Sequence, residues 1–295
     1  MFQIEGYSDL YNLDKTRLVA KTLVVESRKY LGTLNAAKTL RTYTFTFIPN
    51  CGFLNSNLPL INNSELKLSF DRVNSDVALI AGGSPTESIS GTAIDIKDCY
   101  AITEYVSSES MRSYFNKIDT TPIPYVYEEC EITLKTLPLN EKDIRLDNIK
   151  GGNNPGCMFV GLIPTDAVNG SMTKSATGFH HHGVESINIT LNGNSVNGYP
   201  VDMRYNSCVT PFRMFNEVTN RYMNPLTGDS MDLNMFSLNW LYSHKFEAEA
   251  TPQGWLGVHL KLTTGLNESY TLVIWTINKS AITIDKFHQI EKLIL

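Results

Sequence analysis

The sequence predicts an all-β protein made of two antiparallel sandwiches in tandem, and three observations predict it. Apolar residues recur with period two in one segment after another, as they do in strands with one buried face. Asn, Ser and Thr are abundant while charged residues make up only 19% of the chain, which suits many turns better than long helices. Helical spacing occurs once in each half, among strands about ten residues apart. No blade-length repeat is present, so a sandwich or jelly roll fits better than a propeller or barrel.

Residues 1–40 are polar and irregular, with Leu18-Val19 and Leu23 to Val25 as a strand candidate. From Arg41 to Ile48, Tyr43, Phe45 and Phe47 alternate with threonines until Pro49. Leu58 to Ile61 is a short apolar piece, and Glu65 to Val73 alternates again around Leu66, Leu68 and Phe70. Gly82-Gly83-Ser84 lacks the lysine and helix of a phosphate loop and reads as a turn. Ala93 to Val106 is a long strand with a bend near Lys97 to Cys99. Between Ser108 and Ile118 the period changes, with Met111, Tyr114, Phe115 and Ile118 at helical spacing. Pro122 and Pro124 then forbid helix. This helix and its prolines divide the chain into residues 1–118 and 119–295.

The second half opens with Tyr125 to Thr136, where Val126, Cys130, Ile132 and Leu134 share a face. Asp143 to Ile149 is a short segment, Gly151 to Pro155 a turn cluster, and Met158 to Ile163 a buried strand stopped by Pro164. Val184 to Leu191 alternates and meets Asn192-Gly193, the strongest short hairpin signal, with Ser195 to Val201 as its return. Thr210-Pro211 opens a helix whose stripe is Phe212, Phe215, Val218 and Tyr222. Met235 to Ala250 is strand-like. Leu256, Val258, Leu260 and Leu262 form the inward face of a strand, and Tyr270 to Ile277 is apolar on both faces. The loop between them is too short for a parallel crossover, so the two are expected to pair antiparallel. Asn278 to Ser280 breaks the run before Ala281 to Ile284 resumes it.

Net charge is -5 with no basic block, so no electrostatic footprint for nucleic acid is present. No signal peptide and no apolar run near the roughly 20 residues of a membrane span are visible. The five cysteines, Cys51, Cys99, Cys130, Cys157 and Cys208, are scattered and form no CxxC, which argues for a reducing compartment and against a disulfide framework or zinc knuckle. Sequons at Asn62, Asn169, Asn188, Asn267 and Asn278 are expected by chance in so Asn-rich a chain.

Chemistry is sparse. In His180-His181-His182 only the first and third can share a side of an extended chain, and a metal would need His244 or His259 as well. The bland reading is a polar loop edge. Trp240, Trp255, Trp275 and the 14 tyrosines suit sandwich core or a carbohydrate platform. GxSxG and HExxH are absent, and no catalytic, cofactor-binding or metal residue is assigned.

Four stretches of the second half resemble the C-terminal jelly roll of the major capsid proteins of Polinton/Maverick elements and adintoviruses, of the adenovirus-hexon-like lineage. They are Met158 to Pro164 with Val168 to Ser171; Ile187 to Gly193 with Gly198-Tyr199-Pro200; the helix Phe212 to Tyr222; and the closing strands Leu256 to Leu262, Tyr270 to Thr276 and Ile282 to Asp285. Phe45 to Ile48, Leu58 to Ile61 and Glu65 to Arg72 resemble later strands of the first roll more loosely. The family's chains carry a longer segment upstream of Arg41. That implies a fragment, a truncated reading frame or a reduced first roll.

The resemblance implies a double jelly roll with the first roll incomplete, and a non-enzymatic structural protein of the virion, assembled inside the host cell. It would self-assemble as pseudo-hexagonal homotrimers into an icosahedral shell, meeting neighbouring capsomers and a minor capsid or penton protein. It would need no cofactor, no membrane span and no direct contact with nucleic acid. Two other readings stand beside it. One is a stand-alone jelly-roll module for carbohydrate or protein, which coplanar exposed aromatics would favour. The other is a cupin-type metal enzyme, which a bound metal would favour.

Overall fold

A computed structural model of the chain describes residues 122–153, 155–171, 181–219, 233–238, 241–246, 253–285 and 289–294. It also describes 33–34, 41–42, 67, 69, 95–96, 109–116, 174, 179 and 287. The chain divides into two compact units, Met1–Asn57 and Leu58–Leu295. In the first, β1 (Thr33–Leu34) pairs antiparallel with β2 (Arg41–Thr42). Most residues of the other strands expected before residue 107 lie outside the described residues; of those strands, Lys67, Ser69, Asp95 and Ile96 are described and are not in strand. In the second unit, α1 (Glu109–Asn116) forms within the segment of helical spacing.

The sandwich begins where Pro122 and Pro124 force extension. Its strands are β3 (Ile123–Thr136), β4 (Asp143–Asn153), β5 (Cys157–Pro164), β6 (Val184–Leu191), β7 (Asn194–Ser195), β8 (Val201–Asp202), β9 (Tyr242–Lys245), β10 (Gln253–Leu262), β11 (Tyr270–Ile284) and β12 (Ile290–Ile294). Sheet one runs β3-β11-β5-β9, with β12 continuing beside β11 past the end of β5. Sheet two runs β4-β10-β6, with β7 and β8 on the far edge of β6.

This order has a simple origin. Imagine one long antiparallel hairpin whose tip is the β6–β7 turn. Going outward from the tip, β6 meets β7 and β8, β5 meets β9, β4 meets β10, and β3 meets β11. Successive pairs fall alternately in sheet two and sheet one. A hairpin wrapped in this way is a jelly roll, and the chain's fold is all-β with that topology. The tip is the Asn192-Gly193 turn. Both residues have positive φ, 54° and 79°, as a hairpin turn that matches strand twist requires.

The inner faces meet in one apolar core that includes Ile187, Ile189, Val258, Leu260, Leu272 and Ile274. Each such side chain withdrawn from water contributes about 1.5–3 kcal/mol. The outer face of sheet one is covered too. Ile163 and Val273 pack there with Ala167 of α2 (Thr165–Gly170), flanked by Phe179 and Trp275. Further along, Phe215 of α3 (Val209–Thr219) and Phe236 of α4 (Leu233–Leu238) pack with Phe159 and Leu241. This second cover is why β11 reads as apolar on both faces.

Several expectations change. β10 and β11 do not pair; they belong to opposite sheets, and the loop between them turns the sandwich corner with Leu266 buried in the core. β11 runs unbroken through Asn278 to Ser280, because β3 pairs with it along its whole length. Gly151 and Gly152 belong to β4 rather than to a turn, since the Trp255 ring occupies the space where a Cβ of Gly151 would be. Leu233 to Leu238 is helix rather than strand, because Phe236 must reach both Phe212 and Phe215, with ring centroids 5.4 and 5.3 Å away.

Candidate functional site

The described histidines do not gather. His181 Nε2 lies 2.7 Å from the Met203 carbonyl oxygen, and the His182 ring stands 4.5 Å from the Tyr270 ring. His259 faces outward from sheet two and bonds Asp143 at 2.6 Å, which holds that carboxyl below its usual range. His244 is buried on β9 in sheet one, with its Nδ1 unpartnered. His180 lies outside the described residues. Among those described, no group of three His, Cys, Asp or Glu could hold a metal ion.

Trp255 and Trp275 do not form a platform either. Trp255 is exposed on the outside of sheet two over Gly151. Trp275 is half-buried on the outside of sheet one, with Phe179 edge-on at 5.1 Å. Side chains on opposite outer faces of a sandwich cannot bind one sugar. Trp240 and Gly82 to Ser84 lie outside the described residues.

One polar cluster was not legible in the sequence. Lys174 Nζ lies 2.9 Å from an Asp166 oxygen and 2.7 Å from Glu268 Oε2, and the Tyr270 hydroxyl donates to Glu268 Oε1 at 3.0 Å. The bond to Glu268 raises the Lys174 pKa, and Lys174 in turn lowers that of Glu268. Burial, then the Glu268 carboxylate, pushes the Tyr270 phenol up to about 12. Beside it lies a cleft of about 370 Å³ lined by His182, Thr264 to Asn267 and Tyr270. The cluster's lysine and carboxylates are paired with one another, so it ties α2 and the β10–β11 corner together. Its two halves lie far apart in the chain, with Lys174 and Glu268 separated by 94 positions, so no spacing rule could find it.

A second polar set closes the sandwich beyond Ile274. Lys150 reaches from sheet two to Glu131 at 2.6 Å and donates to Thr276 Oγ1 at 2.7 Å. Glu129 accepts from Ser280 and Lys292, and the Lys292 bond is the main cause of its lowered pKa.

These pairs give β3 an inverted polarity. Glu129, Glu131, Thr133 and Lys135 stand opposite Asn278, Thr276, Ile274 and Leu272, so they lie on the core-facing side. Val126, Cys130, Ile132 and Leu134 share a face as expected, but it is the outer one. Val126, Ile132 and Leu134 are 54%, 51% and 51% exposed, and Cys130 is exposed as well. Alternation in β3 is real, but sheet one's outer face at this edge has no covering helix among the described residues. β3 therefore presents an exposed apolar stripe, a surface rather than a pocket.

No family model matches the sequence, and no curated protein matches it. Among solved structures, the chain is similar to the quasi-atomic model of the PBCV-1 virus capsid, at 13% identity and a TM-score of 0.37, covering 64% of this chain and 55% of that one. It is similar to a chain of the Sputnik virophage structure at 14% identity and a TM-score of 0.35, covering 59% of this chain and 39% of that one. For the mavirus major capsid protein the identity is 8%, the TM-score 0.38, and the coverage 64% of this chain and 44% of that one. The chain thus spans about half, or less, of the length of these structures.

Proposed function

We propose that this chain is a structural capsid subunit, a major capsid protein or its C-terminal part, without enzymatic activity. The observation that carries the reading is the wrapped-hairpin topology together with where the family-like stretches fall on it. Met158 to Pro164 lies on β5, Ile187 to Gly193 forms β6 and the tip turn, Phe212 lies on α3, and the closing stretches are β10 and β11. In this reading the sandwich is a rigid carrier, and function lies in its outer faces and loops. The subunit forms homotrimers that tile as pseudo-hexagons in an icosahedral shell within the virion, beside a minor capsid or penton protein. The Polinton/adintovirus lineage and the boundary near residue 118 are parts of this proposal.

Light scattering and negative-stain microscopy of the full chain test it. Trimers, or closed assemblies of trimers, are expected. A monomer that persists at high concentration would overturn the capsid reading and favour a stand-alone binding module. The boundary has its own test. A chain starting at Thr120 contains every sandwich strand found among the described residues and is expected to unfold in one cooperative transition. A broad, non-cooperative melt of soluble material would show that residues before Thr120 complete the core.

A further inference from the structure

The outer face of sheet two carries one large aromatic side chain among polar ones. Leu256, Val258, Leu260 and Leu262 of β10 enter the core, so its odd-numbered residues point outward. Trp255 is 57% exposed on that face. A Cβ on Gly151, its partner on β4, would lie 2.6 Å from Cζ3 of the indole and 2.9 Å from both neighbours of that atom, Cε3 and Cη2. A point in the plane of the ring would lie much further from the neighbours than from Cζ3. The indole therefore rests face down on Gly151 and turns its other face to solvent. Two residues along, a Cβ on Gly257 would lie 2.5 Å from Thr190 Oγ1 and 3.5 Å from Asp147 Oδ1. A hydroxyl from β6 and a carboxylate from β4 thus converge above that glycine. Asp147 reaches it from a bulge. Leu146 to Lys150 of β4 spans four steps against the two from Val258 to Leu256, and Asn148 has a φ of 53°. A bulge of this kind re-aims the side chain it carries. Further along, His259 stands between Arg145 and Asn188, and Lys261 between Asp143 and Ser186, so the other described side chains of this part of the face are polar.

We propose that this face binds a neutral pyranoside, with the C–H face of the sugar on the Trp255 indole and its hydroxyls on Asp147 and Thr190. A pyranose is apolar on one face and ringed by hydroxyls, and the surface meets both requirements side by side. Residues two apart on one side of a strand are about 7 Å from each other, within reach of one hexose and its hydroxyls. The negative face of the indole attracts the partly positive C–H groups. Asp147 accepts from hydroxyls, and Thr190 can donate as well as accept. An acidic sugar would set its own carboxylate against Asp147. A protein partner would call for a contiguous apolar patch, and this part of the face offers one large apolar side chain among the described residues. Cover for Gly151 accounts for the buried side of the indole and leaves the exposed side without a structural use. The inference goes beyond the capsid reading and does not depend on it.

Saturation-transfer NMR of the full chain with methyl β-galactopyranoside, methyl α-glucopyranoside and methyl α-mannopyranoside tests it. At least one is expected to bind with a dissociation constant on the order of 1 mM, since an open surface covers little of its ligand. Trp255→Ala is expected to weaken that binding about tenfold. Asp147 is exposed, so Asp147→Ala leaves the melting curve unchanged while weakening binding by about fivefold, which separates loss of the site from loss of the fold. Trp275→Phe, on the other sheet, is expected to leave binding as it is. Two further probes read the chemical class. Methyl β-glucuronide should bind less well than the neutral glycosides, and tetramethylammonium, which would take the indole and carboxylate as a cation site, should not displace them. Binding of none of the three glycosides, a preference for the glucuronide or for tetramethylammonium, or binding unchanged in both Trp255→Ala and Asp147→Ala would overturn the proposal.

Discussion

Ile274→Asp is expected to destabilise the protein by at least about 4 kcal/mol, and denaturant melts of the wild type and variant measure it. Ile274 is 1% exposed on the inner face of β11, with Thr133 and Val160 on the flanking strands. An aspartate there loses the apolar volume of isoleucine and leaves a carboxyl without water. It must stay buried and neutral, which shifts its pKa upward, or open the sandwich. The comparison that gives the result its meaning is Ile132→Asp. Ile132 is on the adjacent strand but points outward and is 51% exposed, so the same change there should cost no more than about 0.5 kcal/mol. Equal losses at both positions would contradict the assignment of inner and outer faces.

The second large effect is a pH dependence centred on His244. This residue lies on the inner side of β9 opposite Met158, is 9% exposed, and has the Phe246 ring edge-on at 4.8 Å. Burial lowers its pKa from 6.5 to about 4, against a smaller upward pull from Glu217. The folded-state value lies below the unfolded one. Above about pH 6.5 neither state binds the proton, and stability is unaffected. As the pH falls towards 4 the unfolded chain takes up the proton and the folded one resists, so stability declines. Between pH 7 and pH 5 the loss attributable to this one group is about 2 kcal/mol. Carboxylates held low by their partners, such as Asp202 at about 2 beside Arg204, also lose their contribution as the pH falls, but chiefly at lower pH. His244→Phe isolates the histidine. The variant should show a shallower decline in urea midpoint between pH 7 and pH 5, and an unchanged slope would show that His244 is protonated or hydrated in the folded protein.

The sequence by itself determined the local elements. Period-two alternation placed β6 and β10, and apolar runs placed β5 and β11; Asn192-Gly193 placed the hairpin tip; Pro211 and the Phe212–Phe215–Val218 stripe placed α3. These features are legible because their causes are local: side-chain period, positive φ and the missing N–H of proline. What only the tertiary structure decided was which sheet each strand joins and which of its faces looks inward. Alternation says that the two sides of β3 differ. It does not say that Lys150 and Thr276 would claim the side bearing Glu131, leaving Ile132 and Leu134 outside. Nor does a short loop reveal that β10 and β11 part at the sandwich corner, since that depends on Leu266 finding the core. The Lys174–Glu268–Tyr270 cluster is likewise a product of wrapping. Residues far apart in the chain acquire a shared environment only when the hairpin closes on itself, so no pattern along the chain records them.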